Sequence, residues 1–226
     1  MGIISVIKEK IENTDRQVNK LDFSCPVLVI DNFLSVEENH LCLQEAIDLK
    51  PVYLPARVGF AEANRRDTSI RTNDVVHLDN VFRGAAHRSK LLTILHKTIC
   101  QPEYNKLWHE GYTIFDIINY ATWREMTLSR YGEGNFYQKH QDTVFSKDNN
   151  EITHRLVTIC YYMNTGKFEG GELSVFDKDK SIDIQPTNNR AVIFPSFVHH
   201  AVKPAKIDGS KFENGRFSIN FWLGFK

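Results

Sequence analysis

The 226-residue chain carries 28 Lys plus Arg against 28 Asp plus Glu, a formal net charge of zero at pH 7. Without a basic cluster it lacks the electrostatic footprint of a nucleic-acid binder or of a protein drawn to an acidic membrane surface. No apolar stretch reaches the roughly 18 residues of a bilayer-crossing helix, and residues 1–19 lack the compact apolar run of a secretory signal. The length suits one well-buried domain, expected to span residues 1–226. Cys25, Cys42, Cys100 and Cys160 are scattered without CxxC pairing. They read as ordinary thiols in a reducing, cytoplasmic setting.

In chain order, Ile4, Ile7, Ile11 and Val18 predict an amphipathic helix within residues 1–19. Residues 27–30 form a short buried strand candidate. Ser35-Val36-Glu37-Glu38 is a capping box, and Leu41, Leu43, Ala46, Ile47 and Leu49 continue an apolar face behind it. Leu91, Leu92, Ile94, Leu95 and Ile99 predict a further helix within residues 86–108, with Pro102 as its interruption.

From Trp123 the pattern turns to strands, expected at 125–131, 136–142, 156–164, 172–176, 181–185, 191–194, 200–204 and 216–223. Breakers separate them at Gly132-Glu133-Gly134, Asp148-Asn149-Asn150, Gly170-Gly171, Thr187-Asn188-Asn189 and Asp208-Gly209. Eight short strands at even spacing predict a jelly roll. With the earlier helices packed on one outer sheet face, the fold class is α+β. Residues 1–120 are expected to be a helical scaffold with substrate-side elements, and residues 121–226 the core that carries the site.

The chemistry concentrates in that second part. His140 and Asp142 sit at i and i+2 of an expected strand, so both side chains project to one face. His200 lies far enough along for several hairpins to return it to the same place. His199 is its neighbour, and in an extended segment only one of the two faces inward; His200 begins the pattern His-x-Val-x-Pro and is the inward choice. Two imidazoles and one carboxylate can cap one face of an octahedral metal and leave positions open, as in non-haem Fe(II) oxygenases. A structural zinc site calls for four protein ligands and more thiolate than this region supplies. Arg216 offers a planar cation suited to a carboxylate. His77, His87, His96, His109 and His154 read as surface or locally bonded histidines.

Several segments together carry a family resemblance: Arg130-Tyr131-Gly132-Glu133-Gly134 leading to His140-Gln141-Asp142, then Arg155 through Asn164, then Gly170-Gly171-Glu172-Leu173-Ser174-Val175-Phe176. Pro195-Ser196, His200-Ala201-Val202-Lys203-Pro204 and Gly215-Arg216-Phe217-Ser218-Ile219-Asn220-Phe221-Trp222 complete it. Over roughly residues 120–225 the chain resembles the Fe(II)/2-oxoglutarate-dependent dioxygenases of prolyl 4-hydroxylase type. The resemblance implies a double-stranded β-helix (jelly roll, cupin-like). It implies iron ligands His140, Asp142 and His200, and Arg216 paired with the distal carboxylate of 2-oxoglutarate. Tyr162 is implied as a hydrogen-bond partner of that carboxylate, and Tyr131 as an aromatic lining the pocket. Asn220, on the same strand face as Arg216, could add a polar contact. The stretch between His200 and Arg216 is longer than the family's tight turn. Residues 206–214 read as a lengthened hairpin loop, with Lys203 and Lys211 as alternative cations.

The implied chemistry consumes dioxygen, with ascorbate as reductant in vitro. It converts 2-oxoglutarate to succinate and carbon dioxide and hydroxylates an unactivated C–H; the intact Asp142 favours hydroxylation over halogenation. Candidate substrate residues are Arg65, Arg66, Arg71, Trp123, Arg124 and Tyr137. Residues 64–71 are either a flap whose cations receive a carboxylate-bearing substrate or a solvated charge run. A small molecule such as an amino acid or natural-product scaffold is the first expectation. An intracellular peptidyl proline is the alternative, and a non-catalytic jelly-roll binding module the remote one.

Overall fold

The computed structural model describes residues 5–7, 17–59, 64–84, 88–99, 120–143, 145–148 and 151–225. Its strands are β1 (Ser5–Ile7), β2 (Gln17–Lys20), β3 (Leu28–Asp31), β4 (Leu54–Pro55), β5 (Asp74–His77), β6 (Trp123–Tyr131), β7 (Tyr137–His140) and β8 (Phe145–Asp148). There follow β9 (Glu151–Met163), β10 (Phe168–Gly170), β11 (Leu173–Asp177), β12 (Lys180–Ile184), β13 (Arg190–Pro195), β14 (His200–Val202), β15 (Ala205–Ile207) and β16 (Arg216–Phe225). Helices α1 (Val36–Asp48), α2 (Leu78–Val81) and α3 (Lys90–Ile99) lie between β3 and β6.

Two sheets face one another. The larger runs β1-β2-β3-β13-β9-β16-β6-β5-β4, with β8 paired to β9, and the smaller runs β12-β11-β14-β7. All strand pairs within both are antiparallel. Together they form a double-stranded β-helix. The period of two along the long strands divides the interior. Ile159, Tyr161 and Met163 of β9 and Phe217, Ile219, Phe221 and Leu223 of β16 pack with Cys42 and Ala46 of α1 and Leu91, Leu92, Leu95 and Ile99 of α3. The intervening residues of β9 face the space between the sheets, where Cys160 and Tyr162 join Tyr131, Leu173, Val175, Val192 and Phe194. The helices therefore shield the back of the large sheet, and the alternate row is left for chemistry.

The capping box forms as expected: Glu38 N–H donates to Ser35 Oγ at 3.2 Å, and Ser35 N–H donates to Glu38 Oε2 at 3.1 Å. Asn189, in a left-handed turn at φ 60°, anchors the approach to α1. Its amide donates to Leu34 O at 2.7 Å, and its Oδ1 accepts from Leu34 N at 2.9 Å.

Three expectations need correction. The N-terminal helix does not form among the described residues: β1 and β2 pair as a hairpin, Val6 opposite Asn19, on the edge of the large sheet. Ile7 is partnered by Val18 of β2 and Val18 by Ile30 of β3, and that tertiary pairing overrides the helical spacing. The expected hairpin loop of residues 206–214 instead begins as β15, paired with β10, and then makes a short 3-10 turn at Phe212–Asn214. The strand expected over 136–142 stops at His140. Of the helix expected over 86–108, α3 forms residues 90–99; residues 86, 87 and 100–108 lie outside the described residues, as do Cys100, His87 and His109.

Candidate metal and co-substrate site

His140 closes β7 and His200 opens β14, and the two are directly paired across those strands. A bulge makes the pairing productive. Val202 lies opposite Tyr137 while His200 lies opposite His140, so two steps on β14 span three on β7. The extra residue re-aims the strand and brings Tyr137 to stack on the His140 ring, with centroids 3.6 Å apart. Asp142 follows the strand end, its N–H donating to Ser196 O at 2.9 Å. Of the adjacent histidines, His199 is exposed and His200 is buried.

The ligand atoms of His140, Asp142 and His200 lie within 4.8 Å of one another, the one such cluster among the described residues. His140 Nε2 is 3.6 Å from Asp142 Oδ1, and His200 Nε2 is 3.4 Å from Asp142 Oδ2. Each ring is oriented from behind: His140 Nδ1 lies 2.8 Å from Gln138 O, and His200 Nδ1 lies 2.9 Å from Val198 O. A carbonyl only accepts, so Nδ1 carries the proton and the Nε2 lone pair faces the centre. Thr158 Oγ1 donates to Asp142 Oδ2 at 2.9 Å and lies 3.0 Å from Ser196 Oγ.

The charges are arranged to match. Burial first, and then the neighbouring His200, push the His140 imidazole down to about 3, leaving it neutral and able to donate its lone pair. Burial works against the Asp142 carboxylate, yet His200 and His140 outweigh it and hold the group far below the usual carboxylate range. Burial also opposes charge on His200, but Asp142 at hydrogen-bonding distance raises it. Two neutral-capable imidazoles and one carboxylate are the donor set that suits Fe(II).

Arg216 begins β16 opposite Tyr131 of β6 and is 1% exposed despite its charge. Its guanidinium carbon lies 4.6 Å from the Tyr131 ring centroid and 4.9 Å from that of Tyr162. Nη1 donates to Ser218 Oγ at 3.2 Å, while Nε and the Tyr162 hydroxyl are buried without a hydrogen-bond partner among the described residues. A buried charge that lacks an anion is costly; a carboxylate from a ligand would complete it. Gly171, at φ +66°, lets the side chain pass, since a Cβ there would lie 2.9 Å from Arg216 Cδ. Arg216, Tyr131, Tyr162, Ser218 and Asn220 line one narrow cavity with His140, His200, Tyr137, Cys160, Leu173 and Val202. The residues present thus fit Fe(II) at the triad and the distal carboxylate of 2-oxoglutarate at Arg216.

The substrate candidates scatter. Tyr137 lies against His140, and Arg71 lies over Tyr137 with its guanidinium carbon 4.2 Å from the ring centroid. The backbone on both sides of Arg71 is tied down, because Gln138 N–H donates to Ile70 O and Thr72 N–H to Phe136 O. Arg65 and Arg66 are exposed, and Arg65 pairs with Asp67 at 3.3 Å. Arg124 lies on the helical side of β6 against His96. That side holds a larger groove lined by Asp79, Leu92, Thr93, Lys97 and Phe221 among others. No triad of metal-ligand atoms converges there among the described residues, so the chemistry belongs to the smaller cavity. Trp123 is in β6, but its side chain is outside the described residues. Of the alternative cations, Lys203 is engaged by Asp183 at 2.5 Å and Lys211 is exposed.

Sequence reasoning passed over Thr158, Ser196 and the bulge carbonyl of Gln138. Thr158 was within reach, for it shares the alternation of Cys160 and Tyr162 on β9; Ser196 was not, because its place depends on how β13 turns into β14.

Residues 126–224 match the sequence profile of the 2OG-Fe(II) oxygenase superfamily. An uncharacterized PKHD-type hydroxylase of Synechocystis is 26% identical over 206 residues, covering 86% of this chain and 61% of that protein, so the chain spans about three fifths of its length. A prolyl hydroxylase of Trichoplax adhaerens, solved with a hypoxia inducible factor peptide fragment, superposes with a TM-score of 0.61 at 22% identity, covering 88% of this chain and 83% of that one. A Pseudomonas putida prolyl-4-hydroxylase gives 0.57 at 20% identity, covering 90% and 94%. A viral collagen prolyl hydroxylase of Paramecium bursaria chlorella virus-1, solved with 2OG, gives 0.56 at 17%, covering 88% and 96%. Residues 126–224 are thus similar to the 2OG-Fe(II) oxygenase superfamily, and the chain shares the fold of these prolyl hydroxylases.

Proposed function

We propose that the protein is an Fe(II)- and 2-oxoglutarate-dependent dioxygenase that hydroxylates an unactivated C–H bond, releasing succinate and carbon dioxide. The observation that carries this reading is the convergence of two oriented imidazoles and one carboxylate beside a buried guanidinium that has no anion among the described residues. His140 Nε2, an oxygen of Asp142 and His200 Nε2 would hold iron, and Arg216 with Tyr162 the far end of 2-oxoglutarate. Iron with 2-oxoglutarate supplies the activation of dioxygen, one oxygen atom going to the substrate and one to succinate.

The chain's own residues bind, orient and exclude water. The carbonyls of Gln138 and Val198 keep both imidazole protons on the outer nitrogens, and Thr158 fixes one carboxylate oxygen. Tyr131, Tyr162 and Leu173 make the walls around Arg216 apolar, which strengthens the guanidinium's hold on a carboxylate. His140 is the most open of the three, its side chain 16% exposed against 4% for His200. Substrate is therefore expected to enter past His140 and Tyr137.

A small molecule such as an amino acid or natural-product scaffold is the first substrate reading. Arg71, stacked over Tyr137 at that entrance, would receive a carboxylate. A peptidyl proline is the second, favoured by the shared fold with a prolyl hydroxylase solved on a peptide. We further read residues 1–226 as one domain whose catalytic core begins near residue 121, in a reducing cytoplasm. The test is succinate release with Fe(II), ascorbate and 2-oxoglutarate, followed by mass spectrometry of metabolite and peptide pools for the gain of one oxygen atom. Gain in free metabolites supports the first substrate reading, and gain in peptides the second. If the wild-type protein releases no more succinate than the His140→Ala control with every candidate substrate and retains no iron, the protein is a binding module and the proposal fails.

A further inference from the structure

Cys160 puts a thiol into the cavity that His140, His200 and Arg216 also line. It stands midway along the inward row of β9, with Thr158 two residues before it and Tyr162 two residues after. Thr158 Oγ1 donates to Asp142 Oδ2 at the metal end. At the other end the Tyr162 ring centroid is 4.9 Å from the guanidinium carbon of Arg216. Same-face neighbours along a strand are about 7 Å apart, so Cys160 lies roughly that far from a residue touching each end. Asn220 of β16 is directly opposite it on one side and Val192 of β13 on the other.

From outside, this thiol is shut off. Cys160 is buried; burial first, and then the charge of Asp142, push its pKa up against the opposing pull of Arg216. A buried, protonated thiol is a poor target for oxidants in solution, which select exposed cysteines with thiolate character. Cys25 is the more open of the two. Inside the cavity the position is reversed. Arg216 and Tyr162 bring to it a buried nitrogen and a buried hydroxyl with no hydrogen-bond partner among the described residues. They mark a place where a ligand with acceptor atoms sits against the wall that carries Cys160. An oxidant generated from that ligand would form beside the sulfur.

We propose that Cys160 is an oxidation site, converted to the sulfenic acid by the protein's own turnover when no substrate occupies the entrance past His140. The inference rests on the 2-oxoglutarate reading above. One oxygen atom of dioxygen goes to succinate as 2-oxoglutarate loses carbon dioxide. The other, which would otherwise enter a substrate C–H bond, enters the S–H bond of Cys160. 2-Oxoglutarate and the thiol each give up two electrons, and dioxygen takes all four. The new S–OH adds an oxygen atom to a narrow cavity, beside the donors that Arg216 and Tyr162 leave unused, and excludes the next co-substrate. Unproductive turnover thus closes the site. Two molecules of a small thiol reopen it, reducing the sulfenic acid to the thiol with release of water as they join in a disulfide.

In the experiment the full chain is given Fe(II), 2-oxoglutarate and air, with catalase present and no substrate. It is then unfolded in urea with dimedone, which captures sulfenic acids, and its peptides are weighed by mass spectrometry. The dimedone adduct is expected on Cys160, growing in step with succinate, and is expected to be absent when 2-oxoglutarate is omitted. Cys25 should stay unmodified. Wild-type succinate release should fade during the incubation and return with dithiothreitol, whereas in Cys160→Val it should hold its starting rate. Succinate without an adduct on Cys160 overturns the assignment, as does a Cys160→Val protein that fades like wild type. An adduct on Cys25 as abundant as that on Cys160, or one formed without 2-oxoglutarate, also overturns it, since either marks a diffusing oxidant. If no succinate forms, self-oxidation is refuted, and 2-oxoglutarate titrated into the Mn(II)-loaded chain shows what else has failed. Binding there spares the co-substrate reading; no binding refutes that as well.

Discussion

Replacing Thr158 by valine asks whether the carboxylate of Asp142 is held in place for a metal. Thr158 is completely buried, and its hydroxyl donates to Asp142 Oδ2 at 2.9 Å. Valine keeps the branched shape that suits a strand, so the change removes one hydrogen bond to a charged acceptor and little volume. That bond contributes about 1.5–3 kcal/mol, and the metal-free protein should lose stability of that order. The same bond fixes the carboxylate that would ligate the metal, and partners of this kind typically change metal affinity about 10–100-fold. Urea unfolding without metal and competitive Zn(II) titration measure the two effects separately. A variant that loses stability but binds Zn(II) as tightly as wild type would refute the reasoning. Thr158 would then serve packing alone, with the orientation of Asp142 irrelevant to a metal.

Gly171→Ala should cost about 1–3 kcal/mol of stability through overpacking and a strained left-handed backbone, because the new Cβ would lie 2.9 Å from Arg216 Cδ. Binding assays should show weaker 2-oxoglutarate binding with Zn(II) affinity intact; a change confined to Zn(II) would contradict it. Metal binding should tighten as pH rises through the neutral range. His200 carries its proton above the ordinary imidazole value and must release it, whereas His140, pushed down to about 3, has none to give. Calorimetry in two buffers of different ionisation enthalpy counts that proton, and no release at about pH 6.5, the ordinary imidazole value, would sink the prediction. Burial drives the Cys42 thiol up to about 12, against an ordinary value of about 8.5, and pushes Cys160 up as well. In the native protein both should stay unlabelled by iodoacetamide at pH 8 or so and react once unfolded; labelling of either in the native state would show that the interior opens.

Much of the site could be read from the chain because it depends on short-range alternation. The pattern His-x-Val-x-Pro points to His200 over its neighbour, and the structure buries His200 and exposes His199. The offset of two between His140 and Asp142 likewise survives the end of β7. Alternation also pairs Arg216 with Ser218 and Asn220 on one face, and the cavity contains all three. The same rule sorts residues 124–131 into two sets without saying which set faces the helices. Arg124 therefore entered the candidate pocket, although it lies behind the sheet with Met126.

What the sequence determined by itself was the kind of chemistry: a donor set suited to iron, a cation suited to a carboxylate, and strands spaced for a jelly roll. Tertiary structure decided everything that needs two distant strands at once. The bulge that stacks Tyr137 on His140 exists only because β14 runs beside β7. Cys160 stands opposite Asn220 only because β16 lies beside β9. Val18 became a strand residue once β3 offered it an edge, and Ile7 once Val18 did. Periodicity along a chain records which neighbours share a face; hydrogen bonding between strands far apart in sequence determines what that face meets.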